Sequence, residues 1–171
     1  DLEVENLRGN LDTRLRKVQE GLYDAIVLAA AGLHRMGWAN RITCYLSPED
    51  FLPAIGQGAI GIEIRNADEY LNRLLAPLHH PDTADAVTAE RAFLKELQGG
   101  CQVPIGGYAR IAGETVELTG LVASLDGQEI FAGTRIAYRG EAEILGRDLA
   151  REILDAGGRR ILQEVYSAGL P

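Results

Sequence analysis

Cysteine, methionine and tryptophan are scarce in this chain of 171 residues, which holds two Cys, one Met and one Trp, and its aromatics amount to 6%. Two cysteines, Cys44 and Cys101, are too few for a disulfide scaffold and lack CxxC spacing. The three histidines, His34, His79 and His80, fit no zinc pattern, so no metal is expected. No apolar run reaches the roughly 18 residues a membrane span requires, which excludes a membrane partner. A basic excess is missing too: 17 Lys and Arg stand against 25 Asp and Glu, a net charge of -8, so a broad nucleic-acid footprint is excluded. Any anionic ligand must then be met by a local cluster. With 46% hydrophobic and 25% charged residues the chain reads as globular, one large domain or two small ones. It opens at Asp1 with no initiator Met and no secretory leader, which sets the expectation of a cytoplasmic piece of something longer.

Periodicity organises the chain into two styles. Leu2 to Glu5 alternates as a half-exposed strand would and stops at Arg8-Gly9-Asn10. Leu11, Leu15, Val18 and Leu22 then share one helical face, with Asn10 or Asp12 as cap and Gly21 near the stop. Asp24 to Leu28 reads as a short buried strand leading into a small helix that ends at Gly37. Pro48, Pro53, Gly56 and Gly58 mark a crossing between modules. Ala59 to Arg65 reads as a strand, and Asn66 as the cap of a helix from Ala67 to about Ala76, with Glu69 at the capping-box position. From Asp82 the pattern changes. A helix carrying Ala86, Ala89, Phe93 and Leu97, capped by Asp82 or Thr83 and stopped at Gly99-Gly100, precedes three strands over Val103 to Ala112, Thr115 to Ser124 and Glu129 to Tyr138. Ala142, Leu145, Leu149 and Ile153, then Ile161, Leu162 and Val165, line two closing helices. The fold class expected is α/β plus α+β, ending in a three-stranded antiparallel sheet covered by helices.

Two places carry chemistry. Arg8 and Arg14 flank a glycine turn at a helix N-terminus, where outward N–H groups favour an anion and Arg is disfavoured unless something compensates it. One reading is a carboxylate or phosphate site; the other, which spacing alone favours, pairs Arg14 and Arg16 with Asp12 or Glu20 on a solvated face. Cys101 lies in Gly99-Gly100-Cys101-Gln102-Val103-Pro104-Ile105-Gly106-Gly107, a loop with unusual backbone freedom, and could serve as a nucleophile or attachment point or be an inert small hydrophobe. Cys44, among Ile42, Tyr45 and Leu46, is expected to be shielded. Gln57 between Gly56 and Gly58 reads as a loop residue, and His79 and His80 as turn and surface residues.

Arg8-Gly9-Asn10 with Thr13-Arg14-Leu15, then Tyr23-Asp24-Ala25-Ile26, Ala31-Gly32-Leu33, Gln57-Gly58 and the Cys101 loop, in this order and spacing, closely resemble porphobilinogen deaminases, also called hydroxymethylbilane synthases. The resemblance covers essentially the whole chain and rests most on the thiol loop. It implies partial periplasmic-binding-protein-like α/β domains followed by a small domain that carries a dipyrromethane cofactor on a cysteine thioether. Residues 1–47 would be the later half of domain 2, 48–58 the interdomain crossing, 59–78 a return into domain 1, and 82–171 the cofactor-attachment domain.

By that resemblance Cys101 is the attachment residue, Arg8, Arg14 and Arg35 bind carboxylates of cofactor and growing chain, and Gln57 belongs to the substrate-binding crossing. The implied activity is a transferase of tetrapyrrole (haem and chlorophyll) biosynthesis that joins four porphobilinogens with loss of ammonia. The implied partners are porphobilinogen and the N-terminal half of the same enzyme, a monomer when complete. The family's catalytic aspartate has no counterpart here, since Asp12, Asp24 and Asp82 stand elsewhere, and the chain alone is expected to be inactive. The alternative is a non-catalytic binding module for a carboxylate-rich ligand; it would have no need of the thiol loop.

Overall fold

A computed structural model describes residues 2–98 and 103–167. Their contacts divide the chain into two units, 1–46 and 47–171, each taken here by itself.

In the first unit, α1 (Leu11–Gln19) begins where expected, with Asn10 Oδ1 accepting from the Thr13 N–H at 2.8 Å. It ends in a glycine cap: Gly21 takes φ +73°, and the Gly21 and Leu22 N–H groups donate to the Val18 and Lys17 carbonyls. Leu22 therefore lies past the helix and exposed instead of on its face. The six-residue helix α2 (Ala30–Arg35) stops in the same way at Gly37, φ +72°, and carries the unit's one buried core residue among those described, Leu33.

The second unit holds helices α3 (Glu69–Leu75), α4 (Pro81–Glu96), α5 (Ala142–Ile153) and α6 (Arg159–Ser167), and strands β1 (Ile105–Ala112), β2 (Thr115–Ala123) and β3 (Ile130–Tyr138). The strands form an antiparallel meander in the order β1-β2-β3. Gly113 at φ +60° closes the first hairpin, and Gly127 at φ +68° turns the second. Along β2 burial alternates strictly: Val116, Leu118, Gly120 and Val122 face the helices. Their partners are Phe93 of α4 and Leu97 at its C-cap, Leu145, Leu149 and Ile153 of α5, and Ile161, Leu162 and Val165 of α6. Close approach is built in with glycine. A Cβ on Gly120 would lie 2.5 Å from the Phe93 ring, and one on Gly146 would run into the Ala89 carbonyl and stand 2.8 Å from the Phe93 nitrogen. Arg139, after β3, reaches Asp82 and Asp85 at 2.6 and 2.7 Å and ties the sheet's end to the start of α4; Arg151 ties α5 to Glu96 at 2.9 Å. Beside its carboxylates the Arg139 guanidinium is pushed above its ordinary pKa, chiefly by the hydrogen bond to Asp85.

Residues 52–56 lie along the edge of β1 that faces away from β2. Gly107 N–H donates to the Pro53 carbonyl at 3.0 Å, Leu52 closes over Gly106, and Ile55 packs at Gly107 against the core.

Several expectations need correction. The segments 2–5, 24–28 and 59–65, expected as strands, pair with nothing among the described residues, and Leu2, Val4 and Ile60 are exposed. Alternation specifies a face, whereas a strand also needs a neighbour for its backbone groups, and none of the described segments supplies it. The cap of α3 is Asp68, not Asn66: its carboxylate accepts from the Leu71 N–H at 3.1 Å, and Ala67 before it sits at φ +61°, outside the helix. The cap of α4 is His80, neither Asp82 nor Thr83; its Nδ1 accepts from the Thr83 N–H at 3.2 Å while Pro81 takes the first helical position. The expected stop of α4 at Gly99-Gly100 falls outside the described residues.

Candidate functional site

The turn before α1 is shaped by Gly9, whose φ of +126° suits glycine, and a Cβ there would stand 3.1 Å from the Thr13 side chain. Its carbonyl accepts from Arg14 Nε at 2.8 Å. That bond holds the guanidinium against the turn by one edge and leaves the two terminal nitrogens for a planar acceptor such as a carboxylate. The competing solvated pairing takes Arg16 instead, which reaches Glu20 at 3.6 Å; Arg14 pairs with no carboxylate among the described residues. Arg8 is exposed on the same turn. Two arginines thus meet the N-terminal end of α1, where the helix dipole also favours negative charge.

Arg35 closes α2, exposed, at the end of a helix where a cation is favoured. Next to it His34 stacks on Tyr45 with ring centroids 5.9 Å apart, and His34 Nε2 lies 2.9 Å from the Tyr45 hydroxyl. Nothing in the spacing of eleven residues announces that pair. Cys44 departs from expectation: it is exposed, with its thiol 3.5 Å from the Tyr45 carbonyl, because Tyr45 and Leu46 are themselves turned outward.

In the second unit Gln57 is exposed at the tip of a turn. Gly56 before it has φ +67°, the Gln57 N–H donates to the Ala54 carbonyl at 3.1 Å, and the Ala59 N–H donates to that of Gly56 at 3.0 Å. Cys101 lies outside the described residues.

One residue was missed altogether. Glu90, on α4, is the buried charged side chain among the described residues, 6% exposed. Its Oε2 accepts from the Gly56 N–H at 2.7 Å and its Oε1 from the Ala109 N–H at 2.8 Å. Burial pushes its carboxyl above the ordinary carboxylate value, against the pull of those two N–H groups. The available signal was its place in Ala89-Glu90-Arg91-Ala92-Phe93, where an acidic residue falls inside the apolar stripe.

Among the described residues there is no His, Cys, Asp and Glu grouping that could hold a metal ion, and no helix is long and apolar enough to cross a membrane.

Comparison with known proteins divides the chain further along than its contacts do, since the first match runs past residue 46. Residues 1–73 match the family model described as porphobilinogen deaminase, dipyromethane cofactor binding domain, and residues 84–155 match porphobilinogen deaminase, C-terminal domain. A curated porphobilinogen deaminase of Syntrophobacter fumaroxidans is 61% identical over 168 residues, covering 98% of this chain and 54% of its own length. The chain thus spans about half the length of the curated relative it matches. The motif order, the helix-covered meander and both family matches agree, and the chain belongs to the porphobilinogen deaminase family.

Proposed function

We propose that this chain is the C-terminal half of a hydroxymethylbilane synthase, a transferase that joins four porphobilinogens with loss of ammonia in tetrapyrrole biosynthesis. In that reading the complete enzyme is a cytoplasmic monomer, and the rest of its length supplies the acid–base group this half lacks. Cys101 carries a dipyrromethane through a thioether, and the bound group supplies the pyrrole carbon from which the chain grows.

The observation that carries the reading is the held guanidinium of Arg14. Pyrrole units of this class bear acetate and propionate side chains, so every added unit brings two carboxylates to be matched. Arg14, fixed by the Gly9 carbonyl, presents its outer edge at an α1 start where Arg8 adds a second cation. A preset fork loses little freedom on binding, which is why arginine suits carboxylates better than lysine does. Arg35 and Gln57 extend the substrate contacts from their own elements. These residues suit a carboxylate-rich group; they bind and orient and do not transfer protons.

Arg14→Ala in the complete enzyme should lower kcat/KM about tenfold or more, as expected for one lost charge-assisted pair. Arg16→Ala, which removes only the solvated pair with Glu20, should leave it unchanged. Equal effects at the two positions would return Arg14 to the solvated face. Peptide mapping tests the thioether: active complete enzyme should carry the dipyrrole adduct on Cys101 and none on Cys44. An adduct on Cys44 would move the attachment site.

A further inference from the structure

We propose that Glu90 is a positioning residue that latches the segment 52–56 and thereby sets where Gln57 stands. This deepens the reading in which Gln57 contacts substrate, and rests on it. Besides the packing of Leu52 and Ile55, the segment is held by hydrogen bonds at two points. Its start is held by main chain, through the Gly107 N–H on the Pro53 carbonyl. Its end is held by a side chain, through the Gly56 N–H on Glu90 Oε2, one residue before Gln57. The end matters more for Gln57. At Gly56 the backbone takes its left-handed turn, and the two hydrogen bonds of the 54–59 turn only tie that turn to itself. Among the described residues Glu90 supplies the hydrogen bonds that join it to α4 and, through Oε1 and the Ala109 N–H, to β1, beside the packing of Ile55 at Gly107.

Chemistry explains why a carboxylate stands there. Both oxygens accept, one from each of two N–H groups that lie 34 residues before and 19 residues after Glu90 in the chain. Glutamine has the same shape but a single acceptor oxygen, so its NH2 would face one of those donors. Aspartate keeps both acceptors but is one methylene too short to reach both sites. Desolvating a carboxylate is costly, and here the cost is offset by N–H groups that would otherwise be left without acceptors in the interior.

The test has two arms. In the first, amide hydrogen exchange on the complete enzyme compares wild type with Glu90→Gln. Exchange should quicken about tenfold at Gly56, as expected for loss of one hydrogen bond to a charged group, while the β1–β2 ladder stays protected. Unchanged exchange at Gly56 overturns the latch. Should Glu90→Gln fail to fold, Glu90→Asp keeps the charge and gives the same local pattern.

In the second arm, a double-mutant cycle in the complete enzyme pairs Glu90→Gln with Gln57→Ala. If Glu90 acts through Gln57, Glu90→Gln raises KM in wild type and has little further effect once Gln57 is Ala. Additive effects overturn the positioning role and reduce Glu90 to a packing residue. A silent Gln57→Ala with quickened exchange at Gly56 overturns the substrate role of Gln57, and with it the positioning role, while the latch itself stands.

Discussion

Gly146→Val is expected to unfold or severely destabilise the second unit, with a loss of about 3 kcal/mol or more. Gly146 is buried where α5 crosses α4, and its missing side chain is the room the crossing uses. A Cβ would meet the Ala89 carbonyl and lie 2.8 Å from both the Ala92 Cβ and the Phe93 nitrogen. Two of those three neighbours are backbone of a 16-residue helix and cannot rotate away. Relief would mean separating the helices, and Phe93 would then lose its fit over Gly120. Against a total stability of roughly 5 to 15 kcal/mol for a typical domain, that is a large share. Gly146→Ala should lose less and in the same direction. Gly140→Ala, with nothing within 4 Å of the added carbon, is the control and should be near neutral. Urea denaturation followed by circular dichroism reads all three, and a Gly146→Val midpoint equal to that of wild type would mean the crossing is looser than described.

The second expected result is all-or-none: the purified 171-residue chain should form no hydroxymethylbilane from porphobilinogen. The reaction builds positive charge as ammonia leaves, and stabilising such charge is commonly the largest catalytic contribution. The arginines proposed to bind carboxylates have the wrong sign for that task. Glu90, the buried carboxylate, already accepts two backbone N–H groups and has no exposed face to offer. Among the described residues the segments 2–5, 24–28 and 59–65 also lack the ladder partners that strands there would need. Adding the polypeptide that corresponds to the rest of the relative's length should restore product formation. Mass spectrometry of Cys101 gives a second readout, since a thioether assembled by the enzyme's own site should be absent from the chain expressed alone. Steady conversion by the chain alone would show that an acid–base group within it has been overlooked.

What could be read from sequence differs between the units for a physical reason. The helices α4, α5 and α6 and the three strands pack against one another, so the apolar positions along α4 and its C-cap (Ala86, Ala89, Phe93, Leu97) and of α5 (Ala142, Leu145, Leu149, Ile153) report partners that are present, and all but the half-buried Ala86 are buried. Hairpins add local turn chemistry at Gly113 and Gly127. The segments 2–5 and 59–65 carry an equally clean pattern, and Leu2 and Ile60 are nonetheless exposed, because a pattern states a preference and cannot supply the neighbour. The caps of α3 and α4 lie two or three residues from their expected positions because several polar side chains compete at each helix start, and which one bends back depends on the turn before it. For Glu90 the apolar stripe signals burial but not the role: its donors, Gly56 and Ala109, come from distant segments that only the fold brings together.

The segment 52–56 has one more consequence, for self-association. An edge strand offers unpaired backbone groups to any other chain, and a sheet with two open edges can add copies without limit. Over the middle of β1 that route is closed, because the N–H groups of Gly107 and Ala109 are already taken by Pro53 and Glu90. The edge of β3 is open among the described residues, and on its helix-facing row Arg135 pairs with Glu152 at 3.1 Å, a charge that a flat apolar stack would have to desolvate. Strand pairing between two such sheets can therefore join β3 to β3 once. Each product then presents β1 edges whose middle is already occupied, so further strand addition through this sheet is disfavoured.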